Sequence, residues 1–355
     1  MCPLALPSNL PLNDRAATRL AWTRATLDDG GLTLEPASAD ASFRSYWRTL
    51  HGGQSWIVMD SPPAQEDPQP WLDIGARLAA AGLHVPAVKA YDLQQGFLLI
   101  EDLGAAMYLP ALNDRTVDAL YGAAMDALLR IQTTVDATGI PPYDGAFLQR
   151  ELEIMSEWFL GRHLGYLHDP RSHAVLQSAF TYLVNSALEQ PRCFVHRDYH
   201  SRNLLVVENT NGSDYRREWQ SPGIIDFQGA LFGPVAYDLA SLLRDSYIVW
   251  ERERVEGWVE EYRQRLLHAG LISDGVDRAI FLRWFDLIGM QRHIKILGIF
   301  CRLCYRDGKQ GYLDDLQRVY NYVTEVAARY PELSALVTML AEATGGRELQ
   351  LRTEA

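Results

Sequence analysis

The chain has 355 residues, 48% hydrophobic and 22% charged, a composition that suits a folded protein with room for two lobes and a large core. Its formal net charge of -12 leaves no basic footprint for nucleic acid or an anionic membrane surface, and no protein partner is indicated. The longest apolar stretch, near Ile288 to Phe300, is interrupted by Arg292, His293 and Lys295 and falls short of a membrane span.

The opening stretch MCPLALPSNLPLND lacks the basic region and full apolar segment of a secretion signal, so a cytoplasmic protein is expected. Residues 14 to 27 read as a helix opened by Asn13 or Asp14 and ended by Gly30 and Gly31. Leu32 to Glu35, Ser45 to Leu50 and Gln54 to Met59 read as strands, the last two joined through His51, Gly52 and Gly53 as a hairpin. Between the first two lies ASADASFR, Ala37 to Arg44, which is either a plain turn or a loop whose backbone N–H groups and Ser42 contact phosphate. Asp60 to Pro70 is a proline-rich loop, and Trp71 to Ala81 is a helix closed by Gly82, with Asp73 on its surface. Ala87 to Tyr91 and Phe97 to Ile100 form a second hairpin, followed by Glu101, Asp102, Leu103 and Gly104 as a connector.

From about residue 113 the pattern turns helical: Asn113 to Thr134, Phe147 to Leu160 and His173 to Glu189, separated by Pro141 and Pro142 and by Asp169 and Pro170. The run FVHRDYHSRNLLV then breaks it. Phe194 and Val195 deliver His196, Arg197 and Asp198 into a polar loop, Asn203 follows five residues after Asp198, and Leu204 to Val207 reads as a strand. The interval Glu208 to Gln220, with its NTNGSD, has the composition of a solvated hairpin extension. SPGIIDFQ then presents Asp226 at the end of a further strand. Helices are expected near Pro234 to Ser246, Glu251 to His268, Asp274 to Tyr305 (continuous or broken), Gly311 to Tyr330 and Glu332 to Ala343.

An Asp, an Asn five residues on and a second Asp on the next strand suit phosphoryl transfer. That chemistry needs a carboxylate to align the attacking hydroxyl and accept its proton, and oxygen ligands for magnesium beside the nucleotide phosphates. Asp198 fits the first task; Asn203 and Asp226 fit the second. Cys301 and Cys304 form a C-x2-C inside a helical pattern with no second pair, so they read as packing residues and not as a zinc site.

At these residues the sequence resembles the aminoglycoside phosphotransferase and choline kinase superfamily, and GPVAYDLASLLRD, Gly233 to Asp245, is similar to its signature after the metal-site Asp. The resemblance implies an α+β, bilobal, protein-kinase-like fold. Residues 1–104 would be a small antiparallel-sheet lobe with the nucleotide-binding sheet and hinge, and residues 105–355 a mostly helical lobe with the catalytic loop, metal site and acceptor site. It implies ATP and Mg2+, with adenine received by the hinge at Glu101 and Leu103. His196 and Asp238 would support the catalytic loop. Gln228 stands where protein kinases carry the glycine of Asp-Phe-Gly, and no long activation loop follows, which speaks against a protein kinase. The lysine expected on the third strand is also missing: Val58, Met59 and Asp60 occupy that stretch, and no Lys precedes Lys89. Arg44 or Arg48 would substitute, although either is equally a solvated strand residue.

For the acceptor, Arg292, Lys295, Arg302 and Arg306 fall within about 80° of one another on a helical wheel. This stripe either meets an anionic or hydroxyl-rich acceptor or is simply a solvated helix face. His200, Arg292, Lys295 and Arg302 are the candidate acceptor residues. VMDSPP, HRDYHSRNLL, IDFQGALFGPVAYDLASLLRDSY and QRHIKILGIFCRL together resemble the bacterial anomeric kinases of cell-wall recycling that act on N-acetylmuramate and N-acetylglucosamine. That branch implies an amino-sugar acceptor phosphorylated on its anomeric hydroxyl. Alternatives are a kinase of the same fold for an aminoglycoside, choline or another small alcohol, and a nucleotide-binding regulator without turnover.

Overall fold

The computed structural model describes residues 12–39, 43–166, 169–207 and 222–350. Contacts divide the chain into two compact units, one running through Ala106 and taking up Leu205–Gln228, the other comprising Met107–Leu204 and everything from Gly229 onward.

In the first unit, helix α1 (Leu12–Leu27) precedes an antiparallel sheet of β1 (Glu35–Ala39), β2 (Ser45–His51), β3 (Gln54–Asp60), β4 (Val88–Asp92) and β5 (Phe97–Glu101), in the order β1-β2-β3-β5-β4. The β2–β3 hairpin turns on Gly52 and Gly53, both with φ near the left-handed region (60° and 78°), which only glycine enters without steric cost. Strand β1 lies further along the chain than the apolar run Leu32 to Glu35 suggested. It is an edge strand whose register shifts between Pro36 and Ser38, and an edge is where a sheet accepts proline. Central β5 is buried along FLLI, and α2 (Gln69–Ala80) buries Trp71, Ile74, Gly75 and Leu78 while Asp73 stays exposed. Asp60, at the end of β3, is gripped by α1: Arg15 Nε donates to it at 2.8 Å and Arg19 Nη1 at 2.8 Å.

The second unit is helical: α3 (Tyr108–Ala111), α4 (Val117–Thr134), α5 (Gly145–Ile154) continuing as a π-helix over Met155–His163, and α6 (Pro170–Leu188). After strand β6 (Arg192–Val195) the chain enters the two-residue pair β7 (Leu204–Leu205) and β8 (Gly223–Ile224), of which all but Leu204 is counted with the first unit, and then come β9 (Leu231–Pro234), α7 (Tyr237–Leu243), α8 (Arg252–His268), α9 (Arg278–Asp307), α10 (Leu316–Ala327) and α11 (Ser334–Thr344). Capping follows the sequence: Asp144, Asp169 and Asp277 each accept a hydrogen bond from the backbone N–H three residues on, and α9 ends at Gly308 with φ 71°. Residues 231–234 reached into the expected helix near Pro234, but they pair as β9 with β6, Val195 opposite Leu231. The interval Glu208 to Gln220 lies outside the described residues.

Helix α9 is continuous for 30 residues and is the axis of the second unit's core, with α5, the π-helix, α6, α7, α8 and α10 packed around it. No helix among the described residues is long and apolar enough to cross a membrane.

Candidate active site

The loop after β6 is fixed by two buried carboxylates. Asp238, on α7, accepts from the backbone N–H of His196 at 2.6 Å and of Arg197 at 3.0 Å. Asp245 accepts from the backbone N–H of Ser201 at 3.0 Å and from its hydroxyl, and also from the backbone N–H of Tyr247 at 3.1 Å. His196 is fully buried, and its Nδ1 accepts from the Asp198 N–H at 3.3 Å. Tyr199 anchors the loop to α4 through Ala124 O at 2.8 Å. Arg197 is held at φ 77°, a strain of about 1–3 kcal/mol for a residue with a side chain. The pinning from Asp238 and Glu151 offsets it.

Lys295, Arg197, Arg292 and the His200 imidazole act on the Asp198 carboxyl. Its desolvation works to raise the pKa, but the charges of Lys295, His200, Arg197 and Arg292 outweigh it and hold the group below the usual carboxylate range. Asn203 turns its amide nitrogen onto Asp198 O at 3.0 Å, so the oxygen is the atom it can offer a cation. Behind this loop lies a buried polar network absent from the sequence reading. Glu151 receives Arg197 at 2.6 Å, Lys295 at 3.4 Å and the Tyr143 hydroxyl, and Lys295 also donates to the Tyr237 hydroxyl at 3.0 Å. The available signal was Glu151 itself, which sits between Leu148 and Leu152 on the core face of α5.

The stripe on α9 divides. Arg292 and Lys295 are 3% and 5% exposed, so for them the solvated-face reading fails; the helix is buried all round at that level. Arg302 lies further along, where its electrostatic neighbours are Arg306, Asp307 and Glu157 and not Asp198, and Arg306 is exposed.

In the first unit, Arg44 is 6% exposed and bridges two acids: Nε lies 3.3 Å from Glu66 and Nη2 donates to Asp226 Oδ1 at 3.1 Å. Gln228 Nε2 donates to the same oxygen at 2.8 Å. Asp226 sits at φ 63° with 30% of its side chain exposed. Of the two candidate arginines, Arg48 is instead committed to Asp102 (Nε to Oδ2, 2.6 Å), which also receives Ser55 and the Gly104 N–H. Glu66, the acid facing Arg44, was read only as part of a proline-rich loop. The Glu101 side chain accepts from Ala87 N at 3.1 Å. Leu103 lies beside Gly223, where an added Cβ would come within 2.9 Å of Val207 and 3.0 Å of Leu103. Ser42 lies outside the described residues.

Among the described residues there is no cluster of three or more His, Cys, Asp or Glu side chains able to hold a metal. Magnesium needs no such cluster, because it keeps several waters and takes few protein oxygens. Asp226, partly exposed, and Asn203, with its nitrogen already engaged, each fit such a ligand.

The phosphotransferase enzyme family model matches residues 33–279. The N-acetylmuramate/N-acetylglucosamine kinase of Pseudomonas aeruginosa is 44% identical over 317 residues, covering 89% of this chain and 90% of that protein. The protein of the same name from Pseudomonas putida is 43% identical over 314 residues, covering 88% and 89%. Among solved structures, ADP-bound aminoglycoside phosphotransferase APH(2'')-Ib superposes with a TM-score of 0.56 at 13% identity, over 87% of this chain and 98% of its own, a likeness of fold. With a family match across most of its length, relatives aligned nearly end to end and a protein-kinase-like α+β fold, the chain belongs to the phosphotransferase enzyme family.

Proposed function

We propose that the protein transfers the γ-phosphoryl group of ATP to the anomeric hydroxyl of N-acetylmuramate and N-acetylglucosamine, giving the sugar 1-phosphate and ADP. The observation that carries this is Asp198, an ionised carboxylate on a loop locked by Asp238 and Asp245, in a chain 43–44% identical to kinases named for those two sugars. Asp198 aligns the anomeric hydroxyl and accepts its proton as the oxygen bonds to phosphorus and the bridging oxygen leaves with ADP. Magnesium, when bound, spreads the negative charge of the phosphates; Asp226 and Asn203 are the residues that would hold it. Arg44 takes the part of the absent strand lysine, with Glu66 fixing its guanidinium, and the hinge at Glu101 and Leu103 takes the adenine. ATP as donor fits a cytoplasmic enzyme.

A cationic acceptor such as an aminoglycoside or choline would want free carboxylates near Asp198. Asp245 does not supply one, because both of its oxygens are occupied by the loop. The test is ADP release with the free reducing sugars and their 1-O-methyl glycosides, with phosphorus NMR of the product. Transfer to the free sugars alone, a 1-phosphate product and a loss of about 100-fold or more in kcat in Asp198→Asn are expected. A 6-phosphate, or equal use of the methyl glycoside, would overturn the anomeric assignment.

A further inference from the structure

Buried cations in this protein come with counter-ions. Arg19 has Asp60, Arg44 has Glu66 and Asp226, Arg244 has Glu325, Arg263 has Glu260 and Lys295 has Glu151. Arg292 is the exception among the described residues. It is 3% exposed, no carboxylate oxygen of the described residues lies within 4.0 Å of it, and among those residues its guanidinium makes one long hydrogen bond, from Nη1 to the Ser246 hydroxyl at 3.5 Å. A guanidinium carries five N–H donors in a planar fork that matches a carboxylate, and in this one the Ser246 hydroxyl takes only a single donor.

Its position narrows the missing partner. Arg292 reaches Ser246, the neighbour of the Asp245 that holds Ser201 of the loop, and is near enough to act electrostatically on Asp198 and Asp238. Lys295, one turn along, is already satisfied by Glu151 and Tyr237, and Arg302 lies outside this neighbourhood. N-acetylmuramate differs from N-acetylglucosamine by a lactyl ether on O3, which ends in a carboxylate. We infer that Arg292 is the specificity residue of the acceptor site, pairing its fork with the carboxylate of an acidic amino sugar that the neutral sugar lacks. This rests on the amino-sugar reading above.

The experiment compares kcat/KM for N-acetylmuramate, its lactyl amide and N-acetylglucosamine in the wild type, Arg292→Met and Arg292→Lys. The wild type should prefer the lactyl carboxylate to the amide by about tenfold or more, and Arg292→Met should bring that ratio close to one, chiefly through KM. Arg292→Lys keeps the charge but not the fork and should retain part of the preference, so it decides the matter if the Met variant does not fold. An unchanged carboxylate-to-amide ratio in either folded variant overturns the inference. Equal losses on all three acceptors, confined to kcat, would assign Arg292 to the transferred phosphoryl group and overturn it too. If the wild type phosphorylates both sugars without regard to the carboxylate, this inference falls alone; if it phosphorylates neither, the acceptor reading falls and takes this with it.

Discussion

At the scale of single residues, the site departs most from the expected pattern where the strand lysine is missing. The sequence narrowed the replacement to Arg44 or Arg48 and went no further, because the deciding partners are distant in the chain: Asp226 is 182 positions from Arg44, and Asp102 is 54 from Arg48. The two arginines therefore make different predictions. Arg44→Met should raise the Kd for ATP about tenfold or more, since it removes a buried charge set between Glu66 and Asp226. Arg48→Met should change it only a few-fold, because that guanidinium, 35% exposed, serves the connector through Asp102. Isothermal titration with ATP and magnesium checks both, and a larger loss in the Arg48 variant would reverse the assignment. Asp198, Asn203 and Asp226 were legible because their spacing is local; Glu151 and Glu66 were not, because a lone Glu gains meaning only from what folds against it.

The elements were legible where one face is wet and obscure where none is. The capped helix α6 announces itself through Asp169 and Pro170, whereas the middle of α9 is enclosed on every side and its sequence shows no apolar stripe to follow. The same enclosure governs a glycine. At Gly298 an added Cβ would lie 2.5 Å from the backbone carbon and oxygen of Ile154, where α5 passes into the π-helix, so α9 approaches that junction backbone to backbone. Gly298→Ala should destabilise the protein by about 1–3 kcal/mol through overpacking. Gly257, inside α8 with nothing within 4 Å, should respond in the opposite sense, Gly257→Ala gaining up to about 1 kcal/mol from helix propensity. Urea melts of the two variants beside the wild type test the pair; a stabilised Gly298→Ala would mean the two elements can separate at little cost.

For the whole molecule, the chain's course between units was hidden by brevity: β7 and β8 are two residues each, too short to show alternation, so nothing marked Leu205–Gln228 as returning to the first unit. Two groups enclosed in the second shape its response to pH in opposite senses. His293 is 1% exposed, stacks on Tyr322 at 4.7 Å and bonds through Nε2 to Arg244 O at 2.7 Å, while burial and the neighbouring Arg292 and Arg244 push its pKa down to about 3. Between the ordinary value of 6.5 and about 3 the unfolded chain binds a proton that the folded chain refuses, so stability falls as pH is lowered through that window, by about 1.4 kcal/mol per pH unit at the limit. Asp238 opposes this: burial raises its pKa to about 7, so the folded form holds the extra proton and stability declines as pH rises from 3.8 toward 7. The two slopes overlap, and only a variant separates them. His293→Gln keeps a donor for Arg244 O and cannot titrate, so its melting temperature should lose less than the wild type's between pH 7 and pH 5. Parallel curves would show that His293 gains its proton without opening the core, and that the acid limit of the fold lies elsewhere.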